Sequence, residues 1–280
     1  IEINGARLFF DTIGPALVPE GPTMRERATL LVLHGGPGSD HSSLRPYFDR
    51  FADQFQVVYI DHRGCGRSSG DPSTWHLDQW ADDVAGLCAA LEIATPCVFG
   101  QSFGGMVAMN YAIRYRDGLS KLVLSSTAAH FRLEDTLAKM RELGGVRAAT
   151  CAKSLFTSPT LENYSDYADI CLPLYTNPAD GNDADYQQRA IQRPEVTVHF
   201  FQDDMKRMDM RRALADVTCP TLILAGEQDP VTPVVCARDM ADAIGTNAEL
   251  AIFEACGHGV HRDDPEGAEA HLRAFFDRPA

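Results

Sequence analysis

Between the apolar run Pro96-Cys97-Val98-Phe99 and the apolar stretch Met106 to Ala112 stands Gly100-Gln101-Ser102-Phe103-Gly104-Gly105. A strand that passes into a helix through Gly-x-Ser-x-Gly must turn sharply, and the glycines leave room for strained backbone and close helix packing. Such a turn holds its serine at the end of a strand with the hydroxyl exposed, which predicts a nucleophile for attack on a carbonyl. The five-residue pattern also arises by chance in loops, so its weight comes from the order strand, turn, helix around it.

That order is repeated along the chain. An edge strand or hairpin is expected over Ile1 to Thr12, and Ala28 to Leu33 is a continuous apolar run leading straight into His34-Gly35-Gly36-Pro37-Gly38. Phe55 to Ile60 is a second such run, closed by the glycine-punctuated turn Asp61-His62-Arg63-Gly64-Cys65-Gly66-Arg67-Ser68. Continuous apolar runs suit strands covered on both faces, and alternation with helical patterns predicts an α/β fold around a mainly parallel sheet. Leu77, Trp80, Val84, Leu87, Cys88 and Leu91 recur at helical spacing. Leu119 to Ser126 supplies a strand after the elbow helix.

From about residue 129 to residue 213 strand signals give way to helical ones, such as Leu133, Leu137, Met140 and Leu143 on one face. Alternation resumes with the strand Pro220 to Ala225, the helix Val234 to Ile244, the strand Ala248 to Phe253 and a last helix over Pro265 to Phe276. The division expected is a core of residues 1–128 and 214–280, with residues 129–213 inserted as a helical cap or lid before the acid-bearing strand. An insertion of that length is too long for a structureless loop in a compact domain. Gly181-Asn182-Asp183 marks a modest loop within it.

The chain of 280 residues carries a formal net charge of −14, which argues against a phosphate-backbone partner, since nucleic-acid affinity rests on many basic contacts. Its apolar residues form no stretch long enough to span a bilayer. The N-terminus lacks the basic start and apolar centre of a secretory signal, and the eight cysteines form no Cys-x-x-Cys pair or regular framework. Free thiols and a cytoplasmic location are the expectation, with no membrane partner.

A serine hydroxyl needs a base and a group to orient that base. Two strand ends offer them: Asp229, in Gly226-Glu227-Gln228-Asp229-Pro230, and His258, after Gly257. His258 is the expected base and Asp229 its orienting acid, with His261 and Glu227 as neighbouring competitors. The Phe103 and Gly36 N–H groups are the expected donors to an oxyanion, because the small residues of the Gly35-Gly36 loop admit close approach of substrate. The Asp61–Ser68 turn lacks phosphate-loop spacing and is expected to support that loop. A serine triad needs neither metal nor organic cofactor, and none is predicted.

His34-Gly35-Gly36-Pro37-Gly38, Asp61 to Ser68, the elbow, Gly226 to Pro233 and Gly257-His258 to Glu266 together resemble the prolyl iminopeptidase branch of the α/β-hydrolase superfamily. The resemblance covers the core on both sides of the insertion and implies the α/β-hydrolase fold with the chain order Ser, Asp, His. It also implies cleavage of an N-terminal proline, which demands acidic residues to receive the charged imino group. Here Pro230 stands where some members have a glutamate, and Glu195, Asp203 and Asp204 are the carboxylates available in the insertion. Tyr164, Tyr167, Tyr175, Phe200, Phe201, Met205 and Met208 line an apolar acyl pocket on one reading and form the core of the lid on another. The functions that follow are a serine hydrolase of small esters, lactones, amides or N-terminal peptides, a prolyl iminopeptidase specifically, or a ligand sensor on a hydrolase fold.

Overall fold

A computed structural model describes residues 1–176 and 188–279. The expected loop at Gly181-Asn182-Asp183 lies outside the described residues. Near the N-terminus β1 (Glu2–Ile3) and β2 (Ala6–Arg7) pair antiparallel. Asn4 and Gly5 between them both have positive φ, 48° and 75°, as a tight Asn-Gly hairpin turn requires. β3 (Phe10–Ile13) pairs antiparallel with a sheet strand, which accounts for the predicted edge. The hairpin β4 (Leu17–Glu20) and β5 (Thr23–Glu26) was not foreseen. Both strands are mostly exposed, so neither carries the alternation of buried and solvated residues that marks a strand in sequence.

The sheet is completed by β6 (Thr29–Leu33), β7 (Gln56–Ile60), β8 (Cys97–Gln101), β9 (Lys121–Ser125), β10 (Thr221–Gly226) and β11 (Ala248–Phe253). Its order is β11-β10-β9-β8-β6-β7-β3, parallel except for β3. Every residue of β6, β8, β9 and β10 is buried, as the apolar runs at their centres predict. Helices α1 (Leu77–Ala90) and α2 (Phe103–Arg114) pack together on one face. The His76 ring caps α1 by accepting the Gln79 N–H, and the predicted stripe from Leu77 to Cys88 is its buried side.

Between β9 and β10 the described chain is helical: α3 (Leu133–Thr157), α4 (Leu161–Ile170), a 3-10 turn at Leu172–Tyr175, α5 (Pro194–Gln202) and α6 (Asp204–Arg207). Gly145 breaks α3 with φ 70°. The remaining helices are α7 (Val234–Ile244), α8 (Val260–Asp263) and α9 (Pro265–Phe276). Alternate strand residues feed two cores on opposite faces. Leu31 and Leu33 meet α1 and α2, and Leu30 and Val32 meet Phe48, Phe51 and α9.

The topology fixes where a ligand can sit. After β6 the chain runs to β7 on one side and then returns to place β8 on the other. Such a reversal opens a crevice beyond the carboxyl ends of the two strands. The Gly35-Gly36 loop leaves β6 and Ser102 leaves β8, so both are delivered to that crevice.

Candidate active site

Ser102 has φ 54° and ψ −120°, a conformation that residues with a side chain rarely adopt. It persists because the surroundings hold both ends of the residue. The Ser102 N–H donates to Ser125 O at 2.9 Å, and Ser102 O accepts from the Gly105 N–H at 2.9 Å and from Thr127 Oγ1 at 2.6 Å. The glycine requirement is steric at Gly104, where a Cβ would lie 2.2 Å from Leu33 O. Only there can α2 start so close to β6.

His258 lies with Nε2 2.9 Å from Ser102 Oγ and Nδ1 2.8 Å from Asp229 Oδ2. Asp229 is wholly buried and its carboxylate is fully engaged. Oδ1 accepts the N–H groups of Val231 and Thr232 at 2.8 and 2.9 Å, and Oδ2 accepts Thr232 Oγ1 at 2.7 Å. Four hydrogen-bond partners around one carboxylate fix its plane. The loop carrying the imidazole is held from the inserted segment, since the His258 N–H donates to Tyr175 O at 2.7 Å and the Tyr175 ring meets the imidazole edge to face at 4.9 Å.

The two competitors stand elsewhere. Glu227 is exposed and engages Phe253 O through its backbone N–H. His261 is buried among the rings of Tyr47, Phe48 and Phe99. Burial, with Arg262 beside it, pushes its imidazole down to about 3, so it stays neutral. It reaches the cavity wall and makes no hydrogen bond to Ser102.

The Gly35-Gly36 loop is shaped by a third histidine. His34 Nε2 accepts the His62 N–H at 3.1 Å, which leaves Nδ1 to donate to Gly35 O at 2.7 Å. Burial lowers the His34 pKa against the pull of Asp61, and the neutral ring fits this pattern. Carbonyl and N–H of one planar trans peptide unit point in opposite directions. Turning Gly35 O onto His34 therefore turns the Gly36 N–H away from it. Among the described residues neither the Gly36 nor the Phe103 N–H has a hydrogen-bond partner. A side chain at Gly35 would displace the Gln101 amide and crowd the serine, because a Cβ would lie 2.3 Å from Gln101 Oε1 and 3.2 Å from Ser102 Cβ.

Beneath the loop Asp61 accepts His41 Nδ1 at 2.7 Å and the Arg67 N–H at 2.9 Å. Burial alone would raise its pKa, yet these donors and the nearby His34 hold it down to about 2. Arg67 also reaches Asp40 at 2.9 Å. The Asp61–Ser68 turn is thus bound to Asp40 and His41, just after the Gly35-Gly36 loop, through buried carboxylates. From above, Thr197 Oγ1 of α5 donates to Pro37 O at 2.5 Å and the Arg193 N–H to Gly38 O at 2.6 Å. Thr197 and Thr232 were missed in sequence. Thr232 could have been found as a hydroxyl three residues after the acid, whereas nothing local marks Thr197.

Ser102, His258, Gly36 and Phe103 line one cavity of about 170 Å³, with Asp229 behind its Thr232 wall. Of the insertion's apolar residues, Tyr164, Tyr167, Tyr175, Phe200, Phe201 and Met205 line it, while Met208 is buried in the core instead. Among the described residues no Asp or Glu side chain lines the cavity. Glu195 and Asp203 are exposed, and Asp204 accepts the Leu77 N–H at 2.6 Å. Among the described residues no group of His, Cys, Asp and Glu could hold a metal ion, and no helix is long and apolar enough to cross a membrane. All eight cysteines are free.

A doubly wound sheet with a strained serine after one strand, an aspartate and a histidine beyond two others, and an intervening helical segment defines an α/β-hydrolase. The family described as serine aminopeptidase, S33, matches residues 24–265, and the chain belongs to it. A proline iminopeptidase of Pestalotiopsis fici, PfmaB, is 26% identical in an alignment spanning 99% of each chain. Among solved structures, the enol-lactonase of Burkholderia xenovorans aligns with a TM-score of 0.74 at 21% identity, over 99% of this chain and 98% of that one. The proline iminopeptidase of Mycobacterium smegmatis aligns with a TM-score of 0.72 at 21% identity, over 98% and 96%. Structural likeness at this identity carries the fold, and one fold here hosts a lactonase and a peptidase.

Proposed function

We propose that this hydrolase works by a Ser102–His258–Asp229 triad through an acyl-enzyme, on small substrates with a compact, uncharged acyl group. The observation that carries the reading is the unbroken hydrogen-bonded line from Ser102 Oγ through both imidazole nitrogens to Asp229. Ser102 Oγ attacks the substrate carbonyl while His258 Nε2 takes its proton. Asp229 keeps the Nδ1–H tautomer and balances the imidazolium that forms. The negative oxygen of the tetrahedral intermediate is received by the Gly36 and Phe103 N–H groups, which are preorganised and unspent. His258 returns the proton to the leaving group, then activates a water that hydrolyses the acyl-enzyme. Residues 129–213 act as the cap, closing the cavity with α4 and α5 and supporting both the base and the oxyanion loop.

The cavity of about 170 Å³ is close to the roughly 150 Å³ that accommodates a benzene-sized guest. That space suits a short or five- to six-membered acyl group. A second reading, prolyl iminopeptidase, is favoured by the likeness to PfmaB over the whole chain. An N-terminal proline brings a cation, however, and a buried cation without a carboxylate is costly. The aromatic, carboxylate-free lining among the described residues favours esters and lactones.

The test compares the protein with Ser102→Ala in fluorophosphonate labelling and in turnover of proline-arylamide, short acyl ester and lactone. Labelling and ester or lactone turnover that vanish in Ser102→Ala are expected. Labelling that survives the substitution refutes the nucleophile, faster proline-arylamide cleavage selects the peptidase, and labelling without turnover of any substrate selects a ligand sensor.

A further inference from the structure

The hydroxyls of Tyr167, in α4, and Tyr175, in the following 3-10 turn, lie 2.7 Å apart, and both residues line the cavity that holds Ser102 and His258. A hydroxyl pair contains two hydrogens and spends one on the mutual bond. Among the described residues neither phenol has another hydrogen-bond partner. Burial raises both phenol pKa values well above the ordinary tyrosine range, so the pair remains uncharged. The wall they share includes the apolar residues Leu155, Leu172 and Phe201, with Arg262 donating to Tyr175 O at 3.0 Å. An unspent donor in such a wall is costly until something accepts from it.

We infer that the Tyr167–Tyr175 hydroxyl pair is a specificity subsite that donates one hydrogen bond to a neutral acceptor, an ether or carbonyl oxygen, on the acyl portion of the substrate. The inference rests on the acyl-transfer reading above and deepens it by naming the acyl chemistry. The pair stands beside the reacting groups, since the Tyr175 ring meets the His258 imidazole at 4.9 Å. A neutral phenol offers no charge to an ammonium or imino cation. The geometry thus selects among rings of equal size by the atom they carry: an ether oxygen is favoured, a methylene is neutral, and a protonated ring nitrogen is disfavoured.

Three 4-methylumbelliferyl esters isolate that atom: tetrahydrofuran-2-carboxylate, cyclopentanecarboxylate and prolinate, each rate divided by its own hydroxide-catalysed rate. In the wild-type protein the corrected kcat/KM of the oxygen ring should exceed that of the carbocycle by about fivefold to tenfold, the worth of one net hydrogen bond. The prolinate should be the slowest. Tyr175→Phe keeps the ring against His258, and Tyr167→Phe keeps the core contact. The double variant should bring the oxygen and carbocyclic esters within about twofold of each other. Fluorophosphonate labelling at the wild-type rate verifies that the variants retain the folded site. An oxygen preference that survives in the double variant, an equal loss on both esters, or a prolinate faster than either overturns the subsite while leaving acyl transfer intact. Absence of Ser102-dependent turnover of all three overturns the acyl-transfer reading as well.

Discussion

Asp229→Asn is a change of one atom whose consequence the surroundings dictate. The Val231 and Thr232 N–H groups both point at Oδ1, at 2.8 and 2.9 Å. The asparagine must therefore put its carbonyl oxygen there, because the flipped amide would face two backbone donors with its own NH2, at about 1–3 kcal/mol for each lost bond. The NH2 then occupies the Oδ2 position, between Thr232 Oγ1 and His258 Nδ1, where the aspartate makes contacts of 2.7 and 2.8 Å. One amide hydrogen satisfies the threonine and the other donates to Nδ1. The imidazole proton is thereby driven to Nε2, the atom that must take the Ser102 proton. In triads of this kind the reversed tautomer costs roughly 10⁴ in rate, equivalent to about 5.5 kcal/mol. Stability should fall by no more than about 1–3 kcal/mol, the cost of the Thr232 hydroxyl hydrogen that loses its acceptor at Oδ2, since the other groups around residue 229 keep their partners. Steady-state kcat/KM on a short acyl ester, read beside the thermal midpoint, checks this. A loss of less than about tenfold with an unchanged midpoint would refute the claim that Asp229 sets the tautomer.

Gly104→Ala places a Cβ 2.2 Å from Leu33 O and should destabilise the fold by about 1–3 kcal/mol while abolishing turnover, read by urea unfolding and ester assay. A stable, active variant would contradict the close approach of α2 to β6. Thr197→Val removes the donor to Pro37 O and should lower kcat about fivefold to tenfold with little change in KM. An effect on KM alone would place Thr197 in substrate binding instead. His261 is lowered from 6.5 to about 3, so between those values the unfolded chain binds a proton that the folded one refuses. Its contribution is therefore complete above pH 6.5 and is lost towards pH 3, at about 1.4 kcal/mol per pH unit. His261→Phe should flatten the acid side of a stability profile from urea midpoints, and an unchanged slope would contradict the burial argument.

The strands of the core were legible because burial on both faces fills their centres with apolar residues. The runs at Thr29–Leu33, Gln56–Ile60 and Thr221–Gly226 fall within a residue or so of their predicted bounds. The β4–β5 hairpin was invisible for the opposite reason, being solvated on both faces. At the site, Ser102, His258 and Asp229 could be named because turn chemistry and strand ends mark them locally. The holders of those groups could not. Thr197 meets Pro37 across 160 residues and Tyr175 meets His258 across 83, and such pairings exist only after the insertion has packed onto the core. The same applies to the lining. Helical spacing could not separate Met208, which is core, from Met205, which faces the cavity.

Rapid-quench mass spectrometry during turnover of p-nitrophenyl acetate tests directly whether Ser102 carries the acyl group. A stoichiometric burst of p-nitrophenol and an added acetyl group on the peptide containing Ser102 are expected, with both absent in Ser102→Ala. An acetyl group on any other residue, or steady turnover by Ser102→Ala at the wild-type rate, would contradict that role.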